Sequence, residues 1–232
     1  MNRRSPEFPE SPVFTGRVVR SARRTLALEI TGEGELVIRA PNRATSSAID
    51  ALVKEKQGWI QQKIEEIRKR PAPPVHEYEE GEMFLFLGGS YPLTYTDDGS
   101  EAIERLDRLY VPRSLVPGIR RLLKRWYMQE AEKIVRERCA YFSMVSGLLP
   151  VSVRVTDAQR RWGSCTSAGK LNFSWRLVQA PLHIVDYVVV HELVHLRNHD
   201  HSQKFWRKVE EILPDYRKRR TWLHENEWLL KL

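Results

Sequence analysis

Leu182-His-Ile-Val-Asp-Tyr-Val-Val-Val-His-Glu-Leu-Val-His195 can be read as a strand or as a helix. Its β-branched residues suit a strand. Its length exceeds that of a usual strand, and Pro181 stands before it, where the start of a helix tolerates proline. The helical reading puts Ile184, Val188, His191 and His195 on one face. A helix this apolar is buried, so its two imidazoles need partners, and a metal ion is the simplest one. Imidazoles one turn apart can chelate a zinc ion at about 2.0–2.1 Å. Glu192, beside the first of them, then reaches a metal-bound water rather than the metal and serves as its base.

Catalytic zinc usually takes three protein ligands. His199 continues the helical spacing, but a straight helix rises about 1.5 Å per residue and carries it too far along the axis. The chain must bend back, and Asn198 and Asp200 are plausible terminators, with asparagine tolerant of the left-handed conformation. This geometry favours His201 over His199 and leaves Glu210, Glu211 or Glu225 as carboxylate alternatives. Asp186 and Asp215 are candidates to accept a ligand imidazole's second N–H. Tyr187, Tyr216 and Arg161 are candidates to stabilise an oxyanion. His76, His183 and His224 stand apart from any ligand spacing.

Outward from this helix, Val151–Thr156 reads as a strand, and Lys170–Arg176 as a strand that closes a hairpin with the segment before Gly169. That hairpin lies beside the active helix, and its edge could pair with an extended peptide. Cys165 reads as a small buried hydrophobe, and Trp162, Phe205 and Trp206 as packing around the site. Residues 117–145 form the longest helix. Toward the N-terminus, strands are expected at Phe14–Arg20, Arg24–Ile30 and Glu35–Ala40, then a helix over 46–70 capped by Ser46 or Ser47. After a connector at 71–82 come short strands near 83–87, 91–96, 103–106 and 109–111. The fold class is α+β: N-terminal antiparallel strands with a helix, then a helix-rich catalytic half with a β-hairpin beside the active-site helix.

The chain has 232 residues, 41% of them hydrophobic and 29% charged, which excludes collagen-like, coiled-coil and wholly disordered classes. No charge-free stretch reaches the about 20 residues of a membrane-spanning helix, so no membrane partner is expected. The first dozen residues show no secretory signal, and the two cysteines build no disulfide framework, so the expected location is the cytoplasm. The net charge is +8, with residues 76–115 acidic and both flanks basic. A basic surface favours an acidic partner, and nucleic acid is the candidate. The expected organisation is a disordered tail at 1–12, an α+β region at 13–115 and a metal-dependent catalytic domain at 116–232.

Further residues form a pattern: Arg161-Trp-Gly-Ser-Cys165, Leu171-Asn172, Leu177, Ala180-Pro181, Asp186 through His195, His201-Ser-x-x-Phe-Trp206 and Pro214-Asp-Tyr216. With them the chain resembles the YgjP-like zinc metallopeptidases, relatives of SprT-like and WLM domains, closely over about residues 117–225. The resemblance implies a zincin-type fold, one Zn2+ per chain held by His191, His195 and His201, and Glu192 as general base. It implies a protein or peptide substrate. Two alternatives stand beside a metallopeptidase: a metal-dependent hydrolase of a phosphate-containing molecule such as a nucleotide, and a nucleic-acid-associated binding module. In the latter the zinc would be structural and closed by His199, Cys165 or a carboxylate.

Overall fold

A computed structural model of the protein describes residues 16–31, 34–69, 74–97, 99, 102–230 and 232. The tail expected at 1–12 lies outside the described residues. The chain divides into two compact units, Met1–Ala72 and Pro73–Leu232.

In the first unit, β1 (Gly16–Ser21), β2 (Ala27–Ile30) and β3 (Leu36–Pro41) form a sheet of order β1-β3-β2. β2 pairs antiparallel with β3, whereas β1, on the other side of β3, pairs parallel with it. The helix expected over 46–70 is two helices, α1 (Ser46–Glu55) and α2 (Gln57–Arg68), and Thr45 rather than a serine caps the first through its side chain. The break falls at Lys56, just before Gly58. Ile49 and Ile60 would be about 16 Å apart along a straight helix. The break lets Ile49, Ile60 and Ile64 share one core with Leu36, Ile38 and Ala40.

The second unit begins with β4 (Met83–Phe86), β5 (Gly89–Thr96), β6 (Glu104–Arg105) and β7 (Leu109–Pro112), in the order β4-β5-β7-β6. A 3-10 turn at Arg113–Gly118 leads into the long α3 (Ile119–Ser146), which Gly147 ends in the left-handed conformation at φ 69°. Then come β8 (Ser152–Thr156), β9 (Gly163–Cys165) and β10 (Lys170–Ser174), in the order β8-β10-β9. A second 3-10 turn at Trp175–Gln179 precedes α4 (Leu182–Val194), α5 (Gln203–Ile212) and α6 (Tyr216–Asn226). The fold is α+β, with strands first, a helix-rich C-terminal half and the antiparallel β9–β10 hairpin beside α4.

Two cores hold this unit. One joins the β4–β7 sheet to α3: Phe84, Phe86, Leu93, Leu109 and Val111 meet Leu123, Tyr127 and Ala131, with Trp175. The boundary at 115/116 expected from charge lies inside this unit, and residues from both sides of it build this core. Tyr127 is wholly buried, and its hydroxyl donates to the Leu85 carbonyl at 2.7 Å. The other core surrounds α4, which buries Ile184, Val185, Val188, Val189, Val190, Leu193 and Val194. A helix apolar on every side can stand only at the centre of such a packing.

Three contacts fix α4 and the segment that leads into it. Arg138 of α3 donates to both carboxylate oxygens of Asp186, at 2.5 and 3.1 Å. The two-residue turn Leu87-Gly88 between β4 and β5, with both φ positive, rests against Pro181 at the start of α4. A Cβ on Gly88 would come within 2.9 Å of the proline ring, so glycine meets both the turn and the close approach. At the end of β8, Asp157 accepts from Lys124, Trp175 and Arg176 at 2.5, 2.7 and 2.8 Å.

Burial pushes the Asp157 carboxyl up, but the hydrogen bonds from Lys124, Trp175 and Arg176 outweigh it and hold its pKa at about 2, against an ordinary 3.8. Between those values the unfolded chain binds more protons than the folded one. This carboxylate's contribution to stability is therefore full above 3.8 and disappears as pH falls through about 2. Asp157→Asn is expected to flatten the acid limb of a urea-midpoint profile in that window. A limb as steep as in the wild type would contradict the assignment.

Candidate metal centre

α4 is followed by turns through His195, Leu196 and Arg197, closed by amides of Arg197 and Asn198 donating to the Val194 carbonyl at 3.2 and 3.1 Å. The chain then enters α5 at Gln203, with His201 just ahead of it. The expected reversal is there, but its means differ. Asn198 is not left-handed, since only Tyr78 and Leu87 among described non-glycine residues have positive φ. The helix ends in a tightened last turn, with the Leu196 and Arg197 amides donating to carbonyls three residues back, not in a left-handed stop.

The result is a convergence. His191, His195 and His201 each offer a ligand atom, and these atoms lie within 4.8 Å of one another. Nε2 of His191 is 3.2 Å from Nε2 of His195 and 3.0 Å from Nε2 of His201. Three nitrogens at tetrahedral positions, each about 2.0–2.1 Å from an ion, are about 3.3 Å apart, so the spacing fits a small metal ion. Nδ1 of His195 lies 2.9 Å from the Asn198 carbonyl. That carbonyl takes the N–H and leaves the Nε2 lone pair free. Nδ1 of His191 is buried with no partner. Burial, then the charges of His195, His201 and Arg220, hold His191 down at about 3, and burial first also lowers His201. Neutral imidazole is the form that binds a metal.

The other ligand candidates lie elsewhere. Among the described residues, neither His199 nor Cys165 nor a carboxylate joins the group. Glu210 pairs with Arg217 and Glu211 with Lys208. The two aspartates considered as imidazole partners are committed elsewhere, Asp186 to Arg138 and Asp215 to Arg219. The acceptor is instead a main-chain carbonyl, which side-chain chemistry does not reveal in a sequence.

Glu192 is 6% exposed, and burial pushes its carboxyl up to about 7 against the pull of Arg161. Such a carboxyl is matched to proton transfer near neutral pH. β9 lies directly against it. A Cβ built on Gly163 would fall 2.6 Å from both Cγ and Oε1 of Glu192. Glycine at 163 thus has a steric reason: only a bare backbone fits beside the carboxylate arm. Cys165, two residues on, is half-buried; burial first and then the charge of Glu192 raise its thiol.

An aromatic wall backs the histidines. Phe205 contacts all three rings at centroid distances of 4.5 to 4.9 Å, and Trp206 stacks on His201 at 5.7 Å and on Tyr216 at 5.3 Å. Tyr187 meets His191 edge-on at 5.9 Å, and burial raises its hydroxyl to about 12, so it keeps its proton. Arg220 lies over Trp206 at 4.8 Å, and its charge acts on His191, His201 and Tyr187. Sequence reading missed Arg220; its only signal was its place one turn beyond Tyr216.

Comparisons with known proteins agree with this picture in part. The family model for the YgjP-like metallopeptidase domain matches residues 24–226. No curated protein matches the chain. Among solved structures, the metallopeptidase zymogen of Pyrococcus abyssi abylysin is similar at 19% identity, over 40% of this chain and 95% of that one, with a TM-score of 0.37. A likeness that slight carries no argument about the site. No helix among the described residues is long and apolar enough to cross a membrane.

Proposed function

Because the chain belongs to the YgjP-like metallopeptidase family, its reaction is metal-dependent cleavage of proteins or peptides, and we propose that the metal is zinc, one per chain, held by His191, His195 and His201, with Glu192 as general base. The observation that carries this reading is the convergence of three imidazole nitrogens beside one buried carboxylate. Neutral nitrogen ligands suit zinc better than the oxygen-seeking calcium or magnesium. Among the described residues no fourth side chain joins the three imidazoles, and three protein ligands are the pattern of a catalytic rather than a structural site. The family's reaction is on peptide bonds, which sets the nucleotide alternative aside.

Zinc bound there would supply Lewis acidity toward the scissile carbonyl and lower the pKa of a water. The rest falls to the chain's own residues. The Glu192 carboxylate takes a proton from the attacking water and delivers it to the leaving amine. Gly163 leaves the space in which that carboxylate sits. The Tyr187 hydroxyl keeps a proton for the developing oxyanion, and Phe205 and Trp206 pack against the His201 ring and hold it in place. We assign the chemistry to residues 116–232, with the sheet of 83–112 supporting α3 from behind.

The test is proteolysis of quenched fluorescent casein by the full chain. Cleavage should stop with 1,10-phenanthroline and return with added zinc. Cleavage that persists in the metal-free protein would count against the proposal.

A further inference from the structure

A cavity of about 390 Å³ opens between β8, β9 and β10, bordered by Arg161, Ser164, Asn172, Ser174 and Gly163 among others. Gly163 also touches the Glu192 side chain, so the cavity adjoins the proposed base across a single residue. Its walls have a definite polarity. Ser174 donates its hydroxyl proton to the Ala158 carbonyl at 2.8 Å, and Thr156 donates to the Phe173 carbonyl at 3.3 Å. These two hydroxyls are spent on the backbone. Ser164 differs: its oxygen accepts from Asn172 Nδ2 at 3.4 Å, which leaves its own proton free to donate.

Arg161 is exposed, and among the described residues it has no ion pair and no hydrogen bond, although its charge acts on Glu192. Among the described residues, no aspartate or glutamate borders the cavity. A guanidinium presents donors only, in a fork that matches a carboxylate. A guanidinium with no ion pair and a free hydroxyl, in a concave space whose described lining holds no carboxylate, make a site for an anion. The family's substrates, being peptides, carry one anion above others.

We propose that this cavity is a substrate subsite that takes a peptide carboxylate, with Arg161 as its cation and Ser164 as its second donor. The carboxylate belongs either to an Asp or Glu side chain near the scissile bond or to the C-terminus of a short substrate. The proposal rests on the peptidase reading for the role of the cavity, not for the binding itself. It gives the enzyme a preference for substrates that present a carboxylate at this place.

The experiment measures binding first and cleavage second. Fluorescein-labelled alanine–glycine peptides are titrated into the zinc-loaded, full-length Glu192→Gln protein and followed by anisotropy. One set has Glu or Gln scanned through an amidated peptide, and another is neutral with a free or an amidated C-terminus. A carboxylate peptide should bind about tenfold tighter than its neutral twin, the worth of one charge-assisted hydrogen bond. Arg161→Gln should abolish that difference, and Ser164→Ala should reduce it. Both residues are replaced without a core contact at stake, and thermal melts verify the fold.

A preference within the Glu scan assigns the site to a side chain, and a preference confined to the free terminus assigns it to the chain end. Equal binding of all peptides, no binding of any, or a preference that survives Arg161→Gln overturns the proposal. Wild-type cleavage of the same peptides separates it from the peptidase reading. Selective binding without cleavage supports the subsite and counts against the peptidase, whereas cleavage indifferent to carboxylates overturns the subsite alone.

Discussion

Glu192→Gln is expected to lower kcat on casein by about 10²–10⁴-fold, the usual contribution of a positioned acid–base group. Zinc content, KM and the melting temperature should stay close to those of the wild type. The amide is nearly isosteric, so the close fit against Gly163 survives. What is lost is the group that takes and returns the proton. The interaction removed exists only in the transition state, so kcat falls and KM does not. A variant that retains wild-type turnover would remove Glu192 from the mechanism, and one that loses its zinc would mean the carboxylate serves the metal rather than the water.

Gly163→Ala is the second large effect. The new methyl would have to occupy space now held by Cγ and Oε1 of Glu192, 2.6 Å away. Nothing that close is tolerated, so β9 or the glutamate must move. A displacement of about 1 Å at a reacting group can cost about 10²-fold in rate, and we expect a kcat loss of that order with zinc retained. A stability cycle identifies the cause without any substrate. Gly163→Ala should lower the urea midpoint in the wild type but have little effect once Glu192 is cut back to alanine. Non-additivity of that kind is the mark of a direct contact. Equal costs in both backgrounds would place the strain in the strand itself.

The core of the site was open to sequence reading because its logic is local. Two histidines one turn apart, a glutamate beside the first and Pro181 at the helix start describe α4 without tertiary information. His201 was favoured because a straight helix rises too fast for His199, and the structure brings His201, not His199, to the other two rings. Parts that depend on chain approach were not open to it. The Asn198 carbonyl has no side-chain signature, and the cost of a Cβ at 163 exists only once β9 lies on Glu192. Asp186 looked like an imidazole partner by proximity in sequence, yet Arg138, 48 residues away, claims it. The break at Lys56 likewise reflects the demand of one shared core rather than a weak helical pattern.

Three imidazoles that hold a catalytic zinc must bind it stoichiometrically. Elemental analysis of untagged, full-length protein tests it most directly, with His201→Ala as the companion because that side chain is exposed and its loss spares the core. About one zinc per wild-type chain is expected, with its loss in the variant. No zinc after reconstitution of the wild type, or zinc undiminished in His201→Ala, would contradict it.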